Sequence, residues 1–150
     1  MKSAIVTGAS SGIGLATARA FLENGVAVVG VGRDATKLDA ARASLADLPA
    51  PMVTLAADIT DDDAPKRAVA LAMDEFGRLD HLVNNAGVGS PEPVHSTDDA
   101  TLDRFLALML RAPFRLCREA LTAFGDTATI VNVSSTYSLV GGLRGGAYSA

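Results

Sequence analysis

Cysteine, tryptophan and histidine are scarce in this 150-residue chain, which has one cysteine (Cys117), no tryptophan and two histidines (His81 and His95). A lone cysteine excludes an intrachain disulfide and an all-cysteine zinc site. With so few histidines, and those far apart, no metal site is expected. Charge is also sparse, at 20% of residues, with 13 basic against 17 acidic and a net charge of −4. No basic tract occurs, so neither nucleic acid nor an anionic membrane is an expected partner. Long apolar runs are missing as well. The N-terminal Ala4-Ile5-Val6 falls short of the apolar stretch of about 7–15 residues in a secretory leader. Nothing approaches the ~20 apolar residues that span a bilayer. A cytoplasmic protein is the expectation. Disorder is excluded, because 49% of the residues are hydrophobic. The length suits one domain over 1–150.

Short apolar runs alternate with helical stretches. Ser3–Thr7, Val26–Val31, Met52–Ala57, Leu79–Asn84 and Ala128–Val133 read as strands. Most are continuously apolar, as parallel strands covered on both faces should be. Helices are expected over Ser11–Asn24, Ala35–Asp47, Asp61–Phe76 and Thr97–Phe124. Asn24-Gly25 is a helix stop, and Asp61-Asp62-Asp63 suits the positive end of a helix dipole. The alternation predicts an α/β fold with an open parallel sheet and right-handed crossovers. Gly87–Asp99 is the one long loop. It follows the fourth strand, at the edge where ligands bind in such sheets.

Between the first strand and the first helix lies Thr7-Gly8-Ala9-Ser10-Ser11-Gly12-Ile13-Gly14. A phosphate approaching backbone N–H groups at a helix N-terminus needs a chain free of Cβ atoms, which Gly8, Gly12 and Gly14 supply. Ser10 and Ser11 can add hydroxyl donors. An ordinary tight turn is the alternative. No Gly-Lys-Ser/Thr follows, which argues against a Walker-type ATPase.

The pattern Thr-Gly-x-x-x-Gly-Ile-Gly resembles the short-chain dehydrogenase/reductase family. Three further motifs in the family's order strengthen the resemblance: Asp58-Ile59 after the third strand, Asn84-Asn85-Ala86-Gly87 ending the fourth, and Ser134-Ser135 with Tyr148 after the fifth. Taken singly, Asp58 could be a helix cap, Asn84-Asn85 a turn, Ser135 a loop hydroxyl and Tyr148 a packed aromatic. Together the motifs span Ser3 to Ala150. The resemblance implies a Rossmann-like doubly wound parallel sheet with strand order 3-2-1-4-5, stopping before the family's last two strands. It also implies hydride transfer between a nicotinamide and a carbonyl or secondary alcohol, with a small-molecule substrate and a homo-oligomer. Tyr148 would be the acid/base. Ser135 would orient the substrate oxygen, since it precedes Tyr148 by the family's usual thirteen positions. Gly8, Ser10, Ser11, Gly12, Ile13, Gly14, Asp58, Ile59, Asn85, Ala86 and Gly87 would hold the dinucleotide.

Two departures accompany the resemblance. The family's lysine, four positions after the tyrosine, would fall past Ala150, so the isolated 150-residue chain is expected to be inactive and the longer parent active. The family's catalytic asparagine would fall at residue 109, which is Met109. Pro113, four positions on, has no N–H, so the Met109 carbonyl loses its helical partner. That carbonyl could bind a relay water, or Met109 could simply fill an apolar gap. A non-catalytic nucleotide-binding or assembly module is the rival reading. For cofactor choice, the second strand ends Val31-Gly32-Arg33-Asp34. Gly32 stands where an NAD-selecting acid would be, and the Arg33 guanidinium suits a 2′-phosphate. NADP is favoured and NAD remains possible. Arg33 as a solvated loop charge is the alternative. Arg104, Arg111, Arg115 and Arg118 share one helix face, read as a subunit interface or a solvated face.

Overall fold

A computed structural model describes residues 1–89 and 92–150, so Ser90 and Pro91 of the predicted long loop lie outside the described residues. Five parallel strands form one sheet: β1 (Ser3–Thr7), β2 (Ala27–Gly32), β3 (Met52–Ala56), β4 (Leu79–Asn84) and β5 (Phe124–Asn132). Their order is 3-2-1-4-5. Ile5 of β1 sits between Val29 of β2 and Leu82 of β4. This is the expected Rossmann-like doubly wound sheet.

Two apolar layers explain why β1, β2 and β4 are apolar on both faces. Ile5, Val29, Val31 and Leu82 pack on one side against Ala64, Ala68 and Ala72 of α3 (Ala64–Phe76) and Ala112, Leu116 and Ala120 of α5 (Ala112–Leu121). Ala4, Val6, Val28 and Val83 pack on the other, against Ala18 and Leu22 of α1 (Gly12–Glu23) and Leu38 of α2 (Ala35–Ala43). Along α3 and α5 these positions recur at i, i+4 and i+8, one stripe per helix. At the far end of the sheet, Asp80 accepts from Ser3 N–H (2.9 Å) and from Arg78 Nε (2.8 Å).

Several boundaries differ from the sequence reading. The expected helix over 97–124 is α4 (Asp99–Leu106), a π-helical turn over Ala107–Arg111, and α5, with Phe124 already in β5. In the π turn Ala112 N–H donates to Ala107 C=O, five residues back. Pro113 then offers no N–H to either Leu108 or Met109. The expected helix over 35–47 stops at Ala43, and α3 starts at Ala64 rather than Asp61. Asp62 instead pairs with Arg115 Nη1 at 2.8 Å and Asp63 with Arg67 at 3.7 Å. Within the long loop Val94–Ser96 forms a 3-10 turn, and Glu92 bridges to Gly145.

Candidate functional site

The C-terminal ends of the strands meet at a pair of adjoining clefts. Thr7 closes β1 with a hydroxyl that accepts the backbone N–H groups of Asn85 and Ala86, both at 2.9 Å. The Asn85 side-chain amide donates to Thr7 C=O, also at 2.9 Å. The turn after β1 is thereby tied to the turn after β4. Gly8 has φ +68°, and a Cβ there would stand 2.9 Å from Asn85 Nδ2 and 3.2 Å from Ala86 Cα. Only glycine fits both demands.

Ser11 caps α1 in extended conformation and makes no side-chain cap hydrogen bond. Asp34 and Asp98, by contrast, cap α2 and α4 by accepting from Lys37 N–H and Thr101 N–H. The first N–H groups of α1 therefore donate to no Ser11 side-chain oxygen, at the helix end where the dipole favours an anion.

The first cleft, about 960 Å³, is lined by Gly8, Ser10, Ser11 and Ile13 from the glycine turn, Gly32 and Arg33 after β2, and Asp58, Ile59 and Thr60 after β3. Asn85, Ala86, Gly87 and Val88 complete its floor toward β4. Ten of the twelve residues expected at a dinucleotide line it. Gly12 and Gly14 do not. Gly12 sits at φ +54° with open space around its Cβ direction, while Gly14 is packed behind the turn against Gly8 and Asn85. Their part is to shape the turn.

Asp58 Oδ1 accepts from Thr60 N–H (2.9 Å) and the Thr60 hydroxyl (2.7 Å), and Arg33 Nη1 lies 3.9 Å from Oδ2. Burial raises the Asp58 carboxyl, but the two Thr60 bonds and the Arg33 charge outweigh it, so the group sits below its ordinary value. The Arg33 side chain is 72% exposed, free to swing toward a ligand at the cleft rim.

The second cleft, about 720 Å³, is lined by Asn85, Met109, Ser135 and Tyr148, together with Pro113, Phe114 and Cys117 from α5. Ser135 follows β5, and its hydroxyl accepts from Tyr137 N–H at 3.2 Å. Tyr148 lies in the short α6 (Gly146–Ser149). Its ring stands edge-on to Phe105 (6.5 Å between centroids) and to Tyr137 (6.0 Å). Ile13, Asn85, Ala86, Gly87 and Val88 line both clefts, so the two open onto each other. Met109 packs its thioether toward Gly87 at this junction. Cys117 is half-buried and receives the Asn84 amide at 3.4 Å. Among the described residues no cluster of His, Cys, Asp or Glu could hold a metal.

Sequence reasoning missed four contributors. The Thr7 hydroxyl opens the glycine motif, but its tie to Asn85 depends on the parallel pairing of β1 with β4. Thr60 had no signal beyond following Asp58. The spacing of Arg104 and Arg111 suggests a subunit interface or a solvated face, yet both line the first cleft, and Arg115 reaches the Thr60 carbonyl at 3.5 Å.

A doubly wound sheet with a glycine cradle at β1, open to a nucleotide-sized cleft, defines a dinucleotide-binding fold. The short chain dehydrogenase family profile matches residues 2–150. The chain is 42% identical over 154 residues to the short chain dehydrogenase andC of Emericella variicolor, covering 98% of this chain and 58% of that protein. It is 40% identical over 151 residues to the cis-4-hydroxycyclohexanecarboxylate dehydrogenase of Sinomonas cyclohexanicum, covering 98% of this chain and 60% of that one. A metagenomic short-chain oxidoreductase, solved in complex with NADP, superposes with TM-score 0.92 at 35% identity, covering 99% of this chain and 68% of the other. This chain therefore belongs to the short-chain dehydrogenase family of NAD(P)-binding oxidoreductases. It spans about three-fifths of the length of the curated relatives it matches.

Proposed function

We propose that residues 1–150 form one dinucleotide-binding domain of an NADP(H)-preferring oxidoreductase acting on a carbonyl or secondary alcohol. The observation that carries this reading is the junction of the clefts: Ser135 and Tyr148 line the one that opens onto the nucleotide-sized other. The residues around the first cleft fit a dinucleotide, because the glycine turn lines it and α1 starts there without a side-chain cap. Gly8, Ser10, Ser11 and Ile13 would hold its phosphates, Asp58 and Ile59 its adenine end, Arg33 a 2′-phosphate, and Asn85, Ala86 and Gly87 its inner end.

When bound, the cofactor supplies or accepts a hydride. The protein's own part is acid–base and positional. The Tyr148 hydroxyl gives its proton to the oxygen of a carbonyl being reduced, and takes it back in the oxidative direction. The Ser135 hydroxyl donates a hydrogen bond to the same oxygen and fixes the carbonyl beside Tyr148. Phe105 and Tyr137 limit the swing of the Tyr148 ring. Exposed Leu110, Phe114 and Leu121 share one apolar face along the π turn and α5, which supports a homo-oligomer joined there. We also assign the protein to the cytoplasm. Among the described residues no helix is long and apolar enough to cross a membrane.

The test is stopped-flow oxidation of NADPH against a panel of ketones by the longer parent protein, with Tyr148→Phe beside the wild-type parent. Loss of the acid/base costs about 10²–10⁴-fold in turnover, while NADPH affinity is unchanged. An active Tyr148→Phe enzyme refutes the assignment. One observation favours a second reading, a nucleotide-binding module without catalysis: Met109 occupies the cleft junction where the family's asparagine would be. On that reading NADPH binds, but no ketone is reduced. The 150-residue chain taken alone, with no lysine after Tyr148, should bind nucleotide and turn over poorly.

A further inference from the structure

Thirteen basic side chains face seventeen acidic ones in this sequence, yet the first cleft reverses the balance. Its lining holds three cations, Arg33, Arg104 and Arg111, and two anions, Asp58 and Asp103. The cations come from separate parts of the chain. Arg33 follows β2, whereas Arg104 and Arg111 come from α4 and the π turn, which lead into α5 on the sheet face opposite α1 and its glycine turn. Among the described residues Arg33, Arg115 and Arg118 each pair with a carboxylate, but Arg104 and Arg111 have no such partner. The Arg104 guanidinium lies over the Phe105 ring, 5.6 Å from its centroid. Two exposed cations left unpaired on one wall of a cleft are suited to a polyanionic ligand.

We propose that Arg104 and Arg111 form a second phosphate-binding wall, which holds a dinucleotide from the side opposite the glycine turn. This deepens the nucleotide-site reading above and rests on it. The positions divide the work. Seven residues of helix span roughly 10 Å, so the two arginines reach different parts of an extended dinucleotide. Arg111 lies one turn before Arg115, which bonds the Thr60 carbonyl, and so stands at the Asp58–Thr60 end, where the adenosine belongs. Arg104 adjoins Phe105, whose ring meets Tyr148, and so stands toward the pyrophosphate and the reacting end. Arg104 thereby connects phosphate binding to the ring that steadies the acid/base, through the buried Phe105.

The test is direct binding, by NADPH fluorescence and by calorimetry with 2′,5′-ADP, on wild type, Arg104→Gln and Arg111→Gln across a range of salt. Each glutamine should weaken NADPH by about fivefold, the scale of one partly exposed charge pair. Arg111→Gln should weaken 2′,5′-ADP as much as NADPH, and Arg104→Gln should weaken NADPH more than 2′,5′-ADP. The double variant should lose part of the salt dependence, because screening then has fewer charges to act on. Arg→Lys at either position should retain much of the affinity. Unchanged NADPH affinity in both folded glutamine variants overturns the proposal while leaving the nucleotide site standing. Failure of the wild type to bind either nucleotide overturns both.

Discussion

Gly14→Ala is the substitution on which the cradle's geometry bears most directly. Gly14 lies in the first turn of α1, where alanine would ordinarily stabilise the helix by about 0.5–1 kcal/mol. Here its Cβ would press on the Gly8 carbonyl oxygen, 2.7 Å from the Gly8 carbonyl carbon and 2.6 Å from Asn85 Nδ2. The first obstacle is backbone, already bonded to Val31 through Gly8 N–H at 2.8 Å. The second is an amide held on Thr7 C=O. Neither can retreat without breaking the tie between the β1 and β4 turns. Overpacking costs about 1–3 kcal/mol, and immovable neighbours put this case at the upper end, for a net loss near 2 kcal/mol after the helix gain. For a chain of this size that lowers Tm by about 4–8 °C. Gly32→Ala is the matched control, since its Cβ meets only Leu38 at 3.4 Å or more, an ordinary contact. Thermal unfolding by circular dichroism, with NADPH titration alongside, reads both. Gly14→Ala should unfold early and bind NADPH weakly, and Gly32→Ala should unfold at the wild-type temperature. A Gly14→Ala protein that unfolds at or above the wild-type temperature refutes the close-approach argument.

Arg33→Ala should weaken NADPH roughly tenfold, the scale of one charge-assisted hydrogen bond, and leave NADH almost unchanged; equal effects in titrations of both would reduce Arg33 to a surface charge. Asp80→Asn should cost about 2 kcal/mol at neutral pH by chemical denaturation, because the buried carboxylate bonds Ser3 N–H and Arg78. The Arg78 hydrogen bonds, against the opposing pull of burial, hold the Asp80 carboxyl below its ordinary value. Its contribution is therefore complete above the unfolded carboxylate's pKa of about 3.9 and fades as pH falls through the lower folded value; a gap between wild type and Asp80→Asn that grew with acid would contradict this. β5 pairs only with β4 among the described residues, and Ile130, Val131 and Val133 are 37%, 51% and 40% exposed. An open apolar edge invites pairing between copies, so the 150-residue chain should self-associate by light scattering and Val131→Lys should reduce it; a clean wild-type monomer would remove the argument.

The sheet was legible because its signals are local and repeated. β1 and β4 fall on the expected residues, since runs such as Ala4-Ile5-Val6 stay apolar on both faces only when both are covered. The glycine turn, Asp58-Ile59 and Asn85-Ala86-Gly87 were legible as a linear pattern, and parallel pairing gathers the ends of consecutive strands at one edge. The region after β4 was harder. Its helical period runs unbroken through Ala107–Arg111, so the π turn left no trace except Pro113, which removes an N–H without saying how the backbone adjusts. The start of β5 at Phe124 was hidden because Phe124-Gly125-Asp126 has little strand character by itself. The arginine periodicity was visible, but the spacing could not say that the face carrying Arg104 and Arg111 borders the first cleft. That depends on the packing of α3 against α5, where Arg115 meets Asp62.

The burial gradient across the sheet separates the two halves of the site in energetic terms. β1 is fully buried, and β2 is buried through Val31; with the Thr7–Asn85 tie they form a scaffold that cannot shift without opening both apolar layers. The glycine turn, Arg33 and the Asn85, Ala86, Gly87 and Val88 stretch of the first cleft hang from that scaffold. Ser135 and Tyr148 instead follow β5, an exposed edge strand, and Tyr148 is steadied by two aromatic contacts within a single short helical turn. Local opening free energies scale with such packing, so the Tyr148 segment should open long before the glycine turn does. Nucleotide binding should then survive moderate denaturant in which the segment carrying Ser135 and Tyr148 has already opened. Hydrogen exchange can read this directly: amides of β1 and β4 should exchange only on global unfolding, and those of residues 134–150 much earlier. Equal protection of the two regions would mean that Tyr148 is held by more than its two aromatic contacts.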